Sequence, residues 1–388
     1  KISYKLVKKN DDLKFESVLK IINNPLIISL LNYEKKKDSI IRVTGSIINN
    51  QKVVNSLTLK EENNSFSLKN LRFNKNNQIK KIDQFDLNYF DKDGQKNSLS
   101  LFRKDKKYIL KGSYFNADNL LENLLNDENE SSNILDINNL LKIDINKVAI
   151  DKDNYFSNFK GTLFFEKQQI VKGKLEGFFS EDEMLKLTVN TNGNNKVTTL
   201  FLDRAKPIVR RYKFIKGFEE GKLDFYSSSN GEETSSTLKI YNFKLKELPG
   251  LTKILTLASL QGIVDILSGE GIRFDEFEMN FRNKKNLMTI DEIYAIGPAI
   301  SVLMNGYIEK NKLISLRGTL VPATTINKFI GSLPVFGDIL VGSKTGEGVF
   351  GVSFKIKGPP KRLETTVNPV KTLTPRFITR TLERIKKN

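Results

Sequence analysis

Short runs in which apolar and polar residues alternate, each ended by a cluster of Asn, Asp, Gly or Lys, fill most of this 388-residue chain. Residues 39–48, 52–60, 65–73, 79–90, 107–115, 143–150, 159–165, 170–179 and 196–202 all read this way, rich in Ile, Val, Phe, Tyr and Leu. A period of two puts every second side chain on one face of a strand, and the polar clusters supply turns. Strand-length runs that follow one another without long helices between them pair as antiparallel meanders. The fold class expected is mainly β.

The second half keeps the pattern. Residues 221–227 and 237–243 form a hairpin around Ser229-Asn230-Gly231, and strands follow at 272–281, 287–294, 300–308, 313–320 and 348–357. Helical patterns serve as punctuation. They fall at 18–33 (interrupted by Asn23-Asn24-Pro25), 118–125, 205–218, 251–267, 324–330 and 374–386. In the second of these Leu120, Leu121, Leu124 and Leu125 share one face, and in the third Pro207 stands in the first turn, where its missing N–H costs little. The acidic, polar stretch 126–133 reads as a link, giving an N-terminal β-meander unit over 1–127 and a longer β unit over 128–388.

Composition excludes whole classes of chemistry. The chain has no Cys and no His, so within it there are no Ser-His-Asp triads, Cys–His pairs, His-ligated metals, zinc ribbons or disulfides. Lys and Arg outnumber Asp and Glu by 63 to 45, a net charge of +18. Two readings of that charge stand side by side: attraction to an anionic partner such as phospholipid headgroups or nucleic acid, and the Lys, Asn and Ile bias of an AT-rich genome. Basic residues are scattered and not striped, and no helix-turn-helix, RNP-type or zinc signature accompanies them, so no nucleic-acid partner is expected. The longest apolar run, 254–267, contains Gln261 and Asp265 and is too short to span a bilayer. Lys1 is not an initiator Met, so the chain reads as a piece of a longer protein.

Local signals of catalysis fail on spacing. Gly337 to Thr345 has Ser343 between the second Gly and Lys344, which breaks the phosphate-loop pattern. Asp275/Glu276 and Asp291/Glu292 are adjacent on strands, where neighbours point to opposite faces. Lys253 and Ser259 are not at helical i,i+4 spacing. No catalytic residue, metal site or cofactor is expected.

A long ordered set of short motifs carries a resemblance. It begins at Leu200-Phe201-Leu202-Asp203 with Ala205, and continues through Gly217 and Gly221-Lys222-Leu223. Ser259-Leu260-Gln261-Gly262, Ser268-Gly269-Glu270-Gly271-Ile272 and Phe274-Asp275 follow, then Gly297-Pro298-Ala299 and Gly318-Thr319-Leu320-Val321-Pro322. Asn327, Leu333-Pro334, Gly337, Gly342, Gly346-Glu347-Gly348, Val367-Asn368-Pro369 and Thr374-Pro375 complete it. In this order, over about residues 200–377, the chain resembles the C-terminal domain of the bacterial AsmA/TamB/YhdP group. It departs at Lys206, where that group would have a small residue.

The resemblance implies an elongated, twisted antiparallel sheet curled into a groove, with a few short capping helices. It further implies a non-catalytic, lipid-binding segment in the periplasm of a Gram-negative bacterium. The parent protein would be anchored in the inner membrane and take part in phospholipid transport to the outer membrane. On that reading the groove lining falls to alternating apolar residues: Phe277, Met279 and Phe281; Val302 and Met304; Leu316 and Leu320; Val352, Phe354 and Ile356. Alternation by itself equally describes the core of a sandwich or barrel. The basic amphipathic terminus, with Arg376, Phe377, Arg380, Arg384, Lys386 and Lys387, is the candidate contact with an anionic membrane surface, or else a solvated helix. Two other readings stay open: an envelope scaffold or assembly factor for outer-membrane proteins working by edge pairing, and a polyanion binder.

Overall fold

The computed structural model describes residues 1–9, 12–48, 51–105, 107–125, 139–166, 169–211, 216–247, 249–258, 260, 263–265, 269–322, 351–360 and 362–370. The protein is mainly β, built from open, twisted sheet with few short helices. The chain divides into two compact units, Lys1–Thr191 and Asn192–Asn388.

The first unit is a meander with few departures from chain order. Its strands are β1 (Ile2–Lys9), β2 (Asp12–Ile21), β3 (Ile27–Ile28), β4 (Tyr33–Glu34), β5 (Ser39–Ile48), β6 (Gln51–Glu61), β7 (Asn64–Phe73), β8 (Ile79–Lys81), β9 (Gln84–Phe90), β10 (Lys96–Lys104) and β11 (Lys107–Asn116), then β12 (Leu140–Ala149), β13 (Tyr155–Glu166), β14 (Gln169–Phe178) and β15 (Met184–Asn192). Neighbours pair antiparallel, except that β11 and β12 run parallel. Helix α1 (Asp118–Leu125) follows β11, and a crossover of this kind is what parallel neighbours require. The expected link at 126–133 lies outside the described residues, and the sheet is continuous from β11 before it to β12 after it.

The second unit is a purely sequential antiparallel meander: β16 (Asn195–Leu202), β17 (Lys216–Ser229), β18 (Thr234–Glu247), β19 (Ile272–Lys284), β20 (Leu287–Ile296), β21 (Ile300–Glu309), β22 (Leu313–Pro322), β23 (Gly351–Gly358) and β24 (Glu364–Val370). Helix α2 (Lys206–Val209) and helix α3 (Pro249–Leu257) interrupt it.

Several helical expectations need correction. Residues 18–33 belong to β2, β3, β4 and a single 3-10 turn (Ser29–Leu31), not to a helix. β2 is hydrogen-bonded on both sides, to β1 and β5, and that non-local pairing overrides the local apolar spacing. The helix expected over 205–218 stops at Val209, because Lys216 already begins β17. By contrast α1 spans the residues the leucine spacing indicates, while the helix expected over 251–267 is α3, which opens at Pro249, where proline is tolerated, and ends at Leu257. The helices expected at 324–330 and 374–386 lie outside the described residues.

One end of the apolar face in unit 1 is closed around a buried carboxylate. Tyr33, Phe66 and Tyr89 form an aromatic cluster with centroids 4.8 to 5.8 Å apart, against which Leu31 and Leu120 pack. Glu61, buried among them, accepts from the Tyr33 hydroxyl at 2.5 Å, from Asn64 Nδ2 at 2.9 Å, from the Lys36 N–H at 2.6 Å and from the Lys37 N–H. Burial by itself pushes a carboxyl up, but here the bonds from Tyr33, Asn64 and the two backbone N–H groups outweigh it and hold Glu61 below its ordinary value. The same contact, added to burial, raises the Tyr33 hydroxyl.

A carboxyl lowered on folding stabilises the protein above its unfolded value and loses that contribution as pH falls through the folded one. Glu61→Ala is therefore expected to cost about 3 kcal/mol at pH 7 by urea unfolding, since it leaves the Tyr33 and Asn64 donors unpaired. Glu61→Gln keeps the shape without the charge. Its deficit against wild type is expected at neutral pH and shrinks as pH falls below the ordinary glutamate value and through the lowered one of Glu61. A deficit unchanged across that window would assign the effect to packing alone.

Candidate functional site

Cross-strand register places the candidate groove residues on one face of unit 2. Phe277 is opposite Ala295, Met279 opposite Ile293 and Phe281 opposite Ile290. Ala295 and Ile293 in turn face Val302 and Met304, which face Leu320 and Gly318. Leu320, Gly318 and Leu316 then face Val352, Phe354 and Ile356. The row extends beyond the residues picked out by sequence. Leu238 and Ile240 face Met279 and Phe277, while Phe225 and Leu223 face Leu238 and Ile240. Leu200 and Leu202 complete the row on β16. Their signal was the same alternation, present in 196–202 and 237–243 but not carried across the hairpins.

This face survives an irregularity in the sequence. Ile290 and Ile293 are three residues apart, an odd spacing that would put them on opposite sides of a regular strand. A β-bulge at Asp291 absorbs the extra residue: Asn280 is opposite Glu292, yet Phe281 is opposite Ile290. Both isoleucines are thereby buried on the apolar side. The extruded Asp291 binds Arg282 at 2.7 Å. Gly318 solves a second problem. A Cβ there would lie 2.6 Å from the Phe354 ring and from Met304 Cβ, so only glycine lets those side chains lie across its strand.

Burial along the face is graded. Leu320 and Val352 are 0% and 1% exposed, at the end where α3 joins β18 to β19. Leu251, Ile254 and Leu255 of α3 are buried there, and α3 contacts β24. Towards the opposite end Phe281, Met304, Leu316 and Ile356 are only half-buried.

The reverse face is polar. It carries Lys239 beside Glu278 at 3.3 Å, Thr237 donating to Asn280 at 2.7 Å and Arg317 donating to Asn305 at 3.0 Å. An open recess of about 420 Å³ on this face is bordered by Asn305, Arg317, Thr319, Ser353 and Lys355. It brings together hydroxyls, amides and cations with the carboxylates of Asp291 and Glu292. Of the acid pairs weighed in sequence, Asp291 is held by Arg282, and Asp275 and Glu276 are consecutive residues of β19. Among the described residues no group of three acidic side chains is arranged to hold a metal ion.

Unit 1 repeats the design. Val43, Leu57, Leu68, Phe85, Leu101, Leu110 and Ile143 follow one another across its ladders, and Phe15 lies on the same side opposite Gly45. Sequence reasoning named no site residue here. At β1 the row becomes exposed, with Ile2 at 67% and Tyr4 at 74%. The membrane-contact candidates Arg376, Phe377, Arg380, Arg384, Lys386 and Lys387 lie outside the described residues. No described helix is long and apolar enough to cross a membrane.

Comparison with protein family models, with curated proteins and with solved structures gives no match to this chain.

The bulge yields a direct test. Deleting Asp291 and Glu292 together makes Ile290 and Ile293 neighbours, which forces one of them off the apolar side and is expected to cost about 2 to 4 kcal/mol in urea unfolding. Asp291→Ala keeps the residue count and loses only a half-exposed ion pair, so its expected cost is under about 1 kcal/mol. Equal effects of the two changes would show that the ion pair, and not the register, sets the stability.

Proposed function

We propose that this chain is a non-catalytic lipid-binding segment whose apolar sheet face carries acyl chains. In this reading it is part of a bridge for phospholipid between the membranes of a Gram-negative envelope. The observation that carries the proposal is the unbroken apolar row across β16 to β23, buried at the α3 end and half-open towards Phe281, Met304 and Ile356. An acyl chain of about sixteen methylenes loses on the order of 13 kcal/mol on exposure to water, so passage between membranes needs a continuous apolar surface. An open sheet supplies it on one side and keeps its charges on the other. Met279 and Met304 add flexible, polarizable contacts suited to fluid chains. The resemblance of residues 200–377 to the AsmA/TamB/YhdP group supports the periplasmic setting and an inner-membrane anchor on the parent protein. Lipid would move passively or under a drive supplied elsewhere.

A second reading, an assembly scaffold working by strand addition, rests on β1. Every residue of β1 is exposed, and among the described residues it pairs with β2 alone. Unpaired edges of this kind accept strands, although Lys5, Lys8 and Lys9 are the residues that usually guard against it.

Native mass spectrometry of the chain purified from a bacterial envelope separates the two. Phospholipid is expected in defined stoichiometry. Met304→Asp and Phe281→Asp place a carboxylate against hydrocarbon, at about 3 kcal/mol, and should weaken lipid binding on the order of a hundredfold with an unchanged circular dichroism spectrum. Lipid-free wild-type protein would sink the conduit reading and turn attention to strand partners. Unfolding of both variants would place these side chains in a closed core.

A further inference from the structure

We infer that the half-open end of the apolar face in unit 2 is a headgroup site selecting anionic over zwitterionic lipid, an inference that rests on the lipid-binding reading above. The β19–β20 and β21–β22 turns lie at this end and are joined: the Lys310 N–H donates to the Asn286 carbonyl at 2.9 Å, and Leu287 is opposite both Lys284 and Glu309. The joined turns bring Lys284, Lys285, Lys310 and Lys312 to one edge. Lys312 is held by Glu309 at 2.8 Å. Lys284, Lys285 and Lys310 are exposed and have no carboxylate within ion-pair distance among the described residues. The acids of the β17–β18 turn at the same end are Glu232 and Glu233, and Glu233 is shared with Arg282 at 3.7 Å.

The opposite end of the sheet is built differently. There Lys222 meets Asp203 at 2.8 Å, Lys246 meets Glu219 at 2.9 Å and Arg273 meets Glu220 at 3.0 Å. The buried end thus carries three cross-strand ion pairs, while the open end has, besides its Lys312–Glu309 and Arg282–Asp291 pairs, three lysines without a carboxylate partner among the described residues. Ile308 and Ile314 of the apolar row are each two residues from a turn lysine, Lys310 and Lys312. An amphiphile with its chains on Met304, Phe281 and Leu316 would therefore present its headgroup to the turn edge at Lys285 and Lys310, with Lys284 on the reverse side of the same edge. Three uncompensated ammonium groups favour a net negative headgroup and are indifferent to one carrying its own cation.

The test offers the full chain vesicles of phosphatidylglycerol and phosphatidylcholine with matched chains, mixed in equal amounts, and quantifies bound lipid by mass spectrometry. Wild type is expected to enrich phosphatidylglycerol on the order of tenfold at low salt, falling as ionic strength rises. The triple variant Lys284→Ser, Lys285→Ser, Lys310→Ser should bring that ratio to about one with total bound lipid unchanged. A ratio unaffected by the triple variant, in protein that still loses lipid on Met304→Asp, would overturn the headgroup site and leave the lipid-binding reading standing. Absence of bound lipid from either vesicle would overturn both. Glycerol 3-phosphate competing as well as the intact lipid would overturn it in favour of a free-phosphate site.

Discussion

The in-phase burial of alternate side chains on one side of the sheet is the constraint from which the rest follows. Each ladder fixes the face of its neighbour, so one register error would turn a whole strand inside out. In unit 2 the row passes through eight strands, from Leu202 to Val352, without a charged side chain among the residues traced. Such continuity asks more of a sequence than a two-layer sandwich does. A sandwich strand must match the layer that covers it, whereas here each strand must match the strand on either side.

The bulges are where that demand becomes visible. Val54 and Leu57 on β6 repeat the three-residue spacing of Ile290 and Ile293, and their partners Leu71 and Leu68 are also three apart. At β5–β6 the register shifts between Thr44 and Gly45, as it does at Asp291 on β20. In each case a polar residue, Asn55 or Asp291, takes the odd position and the apolar residues on either side stay in phase. A bulge also sharpens local twist, so the same insertion that preserves the face bends the sheet. Polarity pattern and curvature are in this way products of one device.

Much of this was legible in the sequence, and the reason is physical. Strand runs such as 39–48 emerge directly, because a half-buried strand shows its period without reference to any partner. The groove candidates share one face because 277, 279 and 281, and likewise 352, 354 and 356, alternate within single strands. What failed was whatever depends on a remote partner. Residues 18–33 look helical until β1 and β5 are placed beside β2. The parallel pairing of β11 with β12 bridges a stretch that reads as a domain link. Glu61 was invisible as well. Its burial depends on Tyr33, Lys36 and Lys37, more than twenty residues earlier in the chain, and no local pattern announces that meeting.

Separation of charge from apolar surface ties the fold to its proposed use. A closed barrel with this pattern would hide its apolar side, and a flat sheet would expose it and aggregate. Here α3 and the buried residues around Leu320, Val321 and Ile300 close one end, while Phe281, Met304, Leu316 and Ile356 mark an end left half-buried. An exposed apolar end is costly to keep in a monomer unless something covers it. The unpaired lysines of the joined turns narrow what that covering is, because burying them under a protein core would cost several kcal/mol for each charge left without a partner. The proposed lipid would avoid that cost, with its chains over Met304 and Leu316 and its phosphate at the wet edge beside Lys285 and Lys310.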